Sequence, residues 1–342
     1  MTNQYLCAEC GIPFPIMHQG FLALPVNDAA SLAVFKNGLK PKLIENKLYI
    51  PYDSIQSLEE EIQMLEEGGL GEIRAAVTGS ELKVPLMIEL SVLKERIRNK
   101  EMVDVIVSNK FVSYFQPIIN LKSHDLFGYE ALLRVDHSEK QVPPGMLFEA
   151  AHKTGLYSLL DQRARETAIK SRVGKIPNGM KTFINFLPST IYNPEFCLQH
   201  TFSIVDKYNV SPSDLVFEVV ETEEINDIDH LKNIFKTYKA SGMKVALDDV
   251  GSGFATLDIL SKLQPDYVKL DRNFISYCDQ NTMNQKFLQQ AVHISKEMGI
   301  KVLGEGIERK EELEFCAAIG MDFAQGYYLG KPVKDPVEQV RA

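Results

Sequence analysis

The sequence predicts an α/β protein: a (β/α)8 TIM-type barrel over residues 101–342, preceded by a small α+β or helical segment over residues 1–100. Three observations carry this. Eight short β-rich runs alternate with stretches of helical periodicity over roughly 230 residues, the strand count a closed barrel needs. Each run ends, on its carboxyl side, in a polar or ionisable residue. The connection between the first two runs is too short for a crossover helix, so the first strand can pair with the second as an antiparallel hairpin. A doubly wound open sheet is the competing arrangement.

Taken in order, residues 1–55 read as loop-rich, because Gly11, Pro13, Pro15, Gly20 and Pro25 interrupt short apolar runs. Residues 57–67 place Leu58, Ile62 and Leu65 at helical spacing with acids between them, and Gly68, Gly69 and Gly71 end that helix. Residues 84–100 repeat the pattern with Leu86, Ile88, Leu90, Leu93 and Ile97, predicting a helix that connects to the main domain. The β-rich runs follow at 112–118, 127–134, 181–186, 215–220, 244–248, 267–270, 301–304 and 323–327. Helical periodicity marks 147–152, 160–172, 198–208, 228–240, 284–298 and 310–319.

Composition narrows the functional classes. The 342 residues are 45% hydrophobic, enough for a sizeable core, and contain no Trp. The 46 acidic against 37 basic residues give a formal charge of -9, which builds no broad basic face for duplex nucleic acid. A small anionic ligand stays compatible with this balance, because a bound metal ion inverts the local field. No run approaches the roughly 20 apolar residues of a membrane helix. The N-terminus lacks the basic start and apolar centre of a signal peptide, and the five Cys form no disulfide framework. These features predict a soluble, cytoplasmic chain. Cys7 and Cys10, with His18 nearby, have metal-ligand spacing, but no second pair exists to close a zinc site, so ordinary thiols are the simpler reading unless two chains each supply a pair. Cys197, Cys278 and Cys316 are expected to fill local packing.

The strand ends carry the chemistry. Strands of a parallel barrel are buried on both faces and read as apolar runs, so a carboxylate inside one is costly unless paired or bound to metal. Here the strand-end residues are, in order, Gln116, Glu130, Asn185, Glu218, Asp248, Lys269, Glu305 and Gln325. Solvent exposure explains any one of them as readily as function does; it does not explain eight at the end where barrel active sites are built. Glu130, Asn185, Glu218 and Asp248 are hard oxygen ligands, and Asp249 can add its carboxylate from the next loop. With no His near these strand ends, the set suits Mg²⁺ or Mn²⁺ rather than zinc. Five such ligands suffice for two ions about 3.5–4 Å apart, the spacing of two-metal phosphoryl-transfer sites. Lys269 would orient a water or stabilise developing charge; a Schiff-base role is disfavoured by acids that keep the ammonium charged. Gly251 and Gly253 after the paired Asp admit close approach of a phosphate or a neighbouring subunit, although a plain turn explains them equally well, and no dinucleotide or Gly-Lys-Ser/Thr phosphate loop is present.

These segments resemble the EAL-domain cyclic di-GMP phosphodiesterases. Tyr129-Glu130-Ala131-Leu132-Leu133-Arg134 is similar to the signature that names the family. Tyr114-Phe115-Gln116-Pro117-Ile118, Ile184-Asn185-Phe186, Phe217-Glu218-Val219-Val220-Glu221 and Leu247-Asp248-Asp249-Val250-Gly251 fall around it in the family's order. Val268-Lys269-Leu270-Asp271-Arg272, Gly304-Glu305-Gly306-Ile307-Glu308 and Ala324-Gln325-Gly326-Tyr327 complete eight pieces spread over residues 110–333. The resemblance implies a (β/α)8 barrel that opens cyclic di-GMP to linear pGpG with Mg²⁺ or Mn²⁺, as a homodimer. It implies that Glu130, Asn185, Glu218, Asp248 and Asp249 are metal ligands and that Lys269 positions the attacking water. Glu305 and Gln325 would hold water at the ions and the rim of the site. Glu221 would brace the Asp249 loop, which in this family also links metal occupancy to dimer contacts. Gln116 and Arg134 would contact substrate, the Arg fork suiting a phosphate or a guanine edge. Val250 departs from the family's usual Phe and removes an aromatic anchor from the loop without removing a ligand.

Three functions remain in play. The first is the hydrolase. The second is a catalytically weak or silent EAL domain that senses cyclic di-GMP, against which stands the presence of every proposed ligand and of Lys269. The third is a two-metal barrel hydrolase of another phosphoester, which would lack the Arg134 and Gln116 contacts. The N-terminal hundred residues resemble no sensor family.

Overall fold

Short β-branched and aromatic runs, punctuated by Gly, Pro and Asn, form two sheets in the computed structural model, which describes residues 14, 16–26, 40–84, 86–136, 142–219, 227–251 and 257–337. The chain divides into two compact units, Met1–Lys110 with His137–Leu160 and Phe111–Asp136 with Asp161–Ala342. The expected division lay between residues 100 and 101.

In the first unit, strands β1 (Gly20–Pro25), β2 (Lys42–Ile44), β3 (Lys47–Tyr52), β4 (Arg74–Thr78) and β5 (Ile88–Glu89) form an antiparallel sheet in the order β2-β3-β1-β4-β5. Helices α1 (Ile55–Glu67) and α2 (Leu90–Arg98) bury Leu58, Ile62, Leu65, Leu90, Leu93 and Ile97 in one apolar core with Leu22, Leu24, Leu48 and Ile50. Ser54 caps α1, its hydroxyl accepting from the Ser57 N–H at 3.0 Å, a contact that contributes about 1 kcal/mol. Helices α3 (Lys100–Ser108) and α4 (Pro144–Lys153) complete the unit, and buried Arg96 donates from Nε to the Thr154 carbonyl at 2.8 Å.

Two expectations are corrected here. The loop-rich reading of residues 1–55 missed three strands. Two of its breakers mark strand ends: Pro25 closes β1 and Gly20 opens it, where a Cβ would meet the Thr78 carbonyl oxygen at 2.4 Å. The helix expected over 84–100 begins only at Leu90, because Ile88–Glu89 pairs with β4, and a second helix follows Asn99. Apolar spacing alone does not separate a two-residue edge strand from a first helical turn.

In the second unit, β6 (Phe111–Asn120), β7 (Leu126–Val135), β8 (Lys181–Phe186), β9 (Leu215–Val219), β10 (Lys244–Val250), β11 (Tyr267–Leu270), β12 (Lys301–Gly304) and β13 (Phe323–Gln325) close into a TIM-type barrel. β6 runs antiparallel to both neighbours, β7 and β13, as its short connection required; the other pairs are parallel. Helices α5 (Tyr157–Arg172), α6 (Pro194–Cys197), α7 (Gln199–Lys207), α8 (Ile228–Ala240), α9 (Leu257–Leu263), α10 (Arg272–Ile275), α11 (Thr282–Glu297) and α12 (Lys310–Ile319) connect them. The sequence reading omitted α6, α9 and α10, each of seven residues or fewer. No helix among the described residues is long and apolar enough to cross a membrane.

The lumen is filled by a ring with one apolar residue from each strand: Ile118, Phe127, Phe183, Val216, Ala246, Tyr267, Leu303 and Phe323. On β7 the parity slips, because the register with β6 shifts between Ile118 and Ile119 and leaves Phe127 as the extra residue.

Candidate active site

Successive inward-facing positions of a strand are two residues apart. Counting two residues from the apolar ring toward the mouth gives Gln116 on the antiparallel β6, Asn185, Glu218, Asp248, Lys269, Glu305 and Gln325. Glu130 completes the set three residues beyond Phe127, across the bulge. The alternation that packs the barrel therefore also stacks a second, polar ring on it, made of the eight strand-end residues read from sequence.

The ring is wired through Lys269, which is 1% exposed. Its Nζ lies 2.7 Å from Glu305 Oε1, 3.0 Å from Glu218 Oε2, 3.2 Å from Asp248 Oδ1 and 3.9 Å from Glu130 Oε2. Asn185 Nδ2 donates to Glu130 Oε1 at 3.0 Å, and Gln325 Nε2 donates to Glu130 Oε2 at 2.6 Å and to Gln116 Oε1 at 3.2 Å. Gln116 Nε2 in turn donates to the Gly330 carbonyl at 3.2 Å.

Asp249 reaches the same place through a distortion of β10. Leu247 pairs with Val268 and Val250 with Leu270, so three steps on β10 match two on β11. Asp249 itself sits in the left-handed region at φ +51°. In a regular strand it would face away from Asp248. Here Asp248, Asp249 and Glu305 each offer an oxygen within 4.8 Å of the others.

The electrostatics show why the site suits cations. Five carboxylates, Glu130, Glu218, Asp248, Asp249 and Glu305, share it with one ammonium. Fully ionised, they leave four formal negative charges, which two divalent ions would offset. Burial pushes the pKa of Glu218 and of Glu305 well above the usual carboxylate range and that of Asp248 upward, with Lys269 opposing the rise in each case. Burial works against charge on Glu130 too, but Lys269 and the amides of Gln325 and Asn185 hold its pKa below the ordinary value. For Lys269, burial disfavours the charge, yet Asp248, Glu130, Glu218 and Glu305 raise its pKa well above the usual. Among the described residues both oxygens of Glu218 are buried with no well-aligned hydrogen-bond partner, although the Lys269 ammonium lies 3.0 Å away. Gln325 Oε1 is a second buried acceptor left unbonded. Hard oxygens in an over-acidic site fit a hard divalent cation.

Residues 99–332 match the family model for the EAL domain. The chain belongs to the EAL domain family. It is 30% identical over 232 residues to the probable cyclic di-GMP phosphodiesterase PdeG of Escherichia coli K12, covering 66% of this chain and 45% of that protein. A standalone EAL protein of Vibrio cholerae O395, in its c-di-GMP bound form, is 31% identical with a TM-score of 0.61, over 68% of this chain and 95% of the other. An EAL domain protein of Listeria monocytogenes EGD-e is 25% identical with a TM-score of 0.62, over 69% and 94%. The chain spans less than half the length of the curated relatives it matches.

Other expected residues of the EAL domain fall outside the polar ring. Arg134 lies four residues beyond Glu130, its guanidinium 5.6 Å from the centre of the Tyr114 ring and donating to the Leu133 carbonyl at 2.8 Å. Val250 is fully buried in the barrel core. Glu221, Gly253, Cys7 and Cys10 lie outside the described residues. His18 is exposed, Cys278 and Cys316 are buried, and Cys197 is half-buried.

Sequence reasoning missed a buried brace behind Asn185. Asp161 accepts from the Leu187 N–H at 3.0 Å, from Thr190 Oγ1 at 2.8 Å and from Arg165 Nη2 at 2.8 Å. This ties helix α5 to the loop two residues beyond Asn185. Asp161 and Arg165, four apart on a helix, carry the spacing of an ordinary surface ion pair. The signal that would have separated them is the short Leu187–Thr190 turn, which must satisfy its own N–H groups below the surface.

Proposed function

We propose that this EAL domain hydrolyses cyclic di-GMP to linear pGpG with two Mg²⁺ or Mn²⁺ ions. One observation carries the reading: the four carboxylates of the second ring, with Asp249 from the β10 bulge, face a single ammonium among the described residues. Glu130, Asn185, Glu218, Asp248 and Asp249 would hold the ions, with Glu305 beside Asp248 and Asp249. Bound there, the ions would supply Lewis-acid stabilisation of the phosphate and an acidified water.

The chain's own residues have separable tasks. Lys269 stays protonated, so it cannot serve as a base; it donates to the attacking water and to developing charge on phosphate. Glu305, its carboxylate 2.7 Å from the Lys269 ammonium and beside Asp248 and Asp249, takes the proton from that water. The water oxygen joins phosphorus, the bond from phosphorus to the 3′-oxygen breaks, and that oxygen leaves as a hydroxyl after protonation from solvent. Gln325 orients Glu130 and Gln116, and Gln116 and Arg134 contact the nucleotide. By the family resemblance, Glu221 would brace the Asp249 loop. A cytoplasmic homodimer belongs to the same reading, with its mass in solution as the check.

The test is incubation of purified protein with cyclic di-GMP and Mn²⁺, followed by chromatography of the products. pGpG is expected with the parent chain and not with Glu130→Ala. Lys269→Ala should lower kcat by roughly 10²–10³-fold with KM little changed, since its contact is made in the transition state. Tight binding of the nucleotide with no product in any divalent metal would replace this reading with that of a sensor.

A further inference from the structure

The bulge that turns Asp249 into the site needs something to hold it. A non-glycine residue at positive φ persists only where its surroundings over-determine it. Two residues on, Gly251 has φ +110°, and a Cβ there would lie 2.6 Å from Phe287 Cζ and 2.7 Å from Phe274 Cε2. The Gly251 backbone therefore rests directly on two rings, which themselves pack with centroids 4.1 Å apart and planes tilted by 30°. Those rings are anchored in turn. Asp271 caps α10, which carries Phe274, accepting from the Asn273 N–H at 2.6 Å; its own N–H reaches the Val250 carbonyl at 3.4 Å. Asn284 on α11, the helix of Phe287, donates to the Asn273 carbonyl at 3.2 Å. Both rings are half-buried, outside the fully closed core.

We infer that Phe274 and Phe287 are positioning residues: they clamp Gly251 from behind, hold the 249–251 bulge, and so aim the Asp249 carboxylate at the cation site. They supply, from two helices, the aromatic anchor that Val250 does not provide within the loop. Neither ring touches the reacting atoms. This inference rests on the metal-binding reading above.

The test is Mn²⁺ binding to the metal-free full chain without substrate, by equilibrium dialysis. Phe274→Ala and Phe287→Ala should each weaken Mn²⁺ about ten-fold or more, the effect of removing a residue that orients a metal ligand. The circular dichroism spectrum should be retained, and Phe287→Tyr, which keeps the ring, should bind as the parent does. Should an alanine variant fail to fold, the leucine variant at that position takes its place, with weaker Mn²⁺ binding again expected. A folded alanine or leucine variant with parental Mn²⁺ affinity overturns the inference. Asp249→Asn separates the two claims. If it weakens Mn²⁺ while the Phe variants do not, only the positioning role fails. If it leaves Mn²⁺ binding unchanged, the metal reading fails first.

Discussion

The ring of Ile118, Phe127, Phe183, Val216, Ala246, Tyr267, Leu303 and Phe323 and the ring of Gln116, Glu130, Asn185, Glu218, Asp248, Lys269, Glu305 and Gln325 occupy one barrel lumen, a single side-chain position apart. The first is apolar and interlocked: Phe127 stacks on Phe323 at 3.9 Å, and Phe183 meets Tyr267 edge-on at 5.3 Å. The second is equally enclosed in part, with Glu218 wholly buried, but its members are held by charge and hydrogen bonds that do not balance. The difference teaches where this barrel keeps stability and where it keeps chemistry. The apolar ring and the helix-covered outer face hold the strands in register, and that rigidity lets the polar ring carry more negative charge than one ammonium offsets.

Substitutions in the two rings should break different properties. The largest effect is expected in the polar ring: Glu218→Gln should lower kcat/KM by about 10³-fold or more, near 4 kcal/mol, while the folded spectrum is kept. Steady-state kinetics beside circular dichroism would show it. In the apolar ring, Phe183→Ala should cost roughly 3–5 kcal/mol of stability through the cavity it leaves. Denaturant unfolding should record that loss, with activity per folded molecule largely retained.

A smaller effect sharpens the same contrast. Because the metal binds only the folded site, Mn²⁺ at about 100 times its dissociation constant should add about 2.7 kcal/mol per bound ion to unfolding, and Asp248→Asn should remove most of that gain. Thermal unfolding with and without chelator would measure both.

The smallest effect lies in the first unit, at a buried acid with no ammonium beside it among the described residues. Burial first and Asp53 second raise the Glu61 pKa from 4.5 to about 7, and its Oε2 has no hydrogen bond. A folded pKa above the unfolded one means that the stability is fully present below pH 4.5 and is lost as pH rises through about 7. Glu61→Gln should therefore stabilise the unit by about 1–2 kcal/mol at pH 8 and by little at pH 4.5, as urea unfolding at the two pH values would show.

The polar ring was legible because a polar residue at the carboxyl end of an otherwise apolar strand falls at the mouth of a closed barrel. All eight barrel strands were legible as short β-rich runs between stretches of helical periodicity. The Asp248–Asp249 bulge was not, since two adjacent acids carry no mark of which side each will face. Nor was the contact of Glu305 with that pair, which depends on neighbouring strands closing. Phe274 and Phe287 read as ordinary helix-packing residues, because what distinguishes them is the glycine backbone beneath their rings. Strand β1 of the first unit was hidden by Gly20 and Pro25 at its ends.

The most direct measurement is the stoichiometry of Mn²⁺ bound by the full chain in equilibrium dialysis at neutral pH. Two ions per chain are predicted, falling below one when Glu218→Gln and Asp248→Asn are combined. Only weak, non-stoichiometric uptake by the parent, or two ions still held by the double variant, would contradict the account.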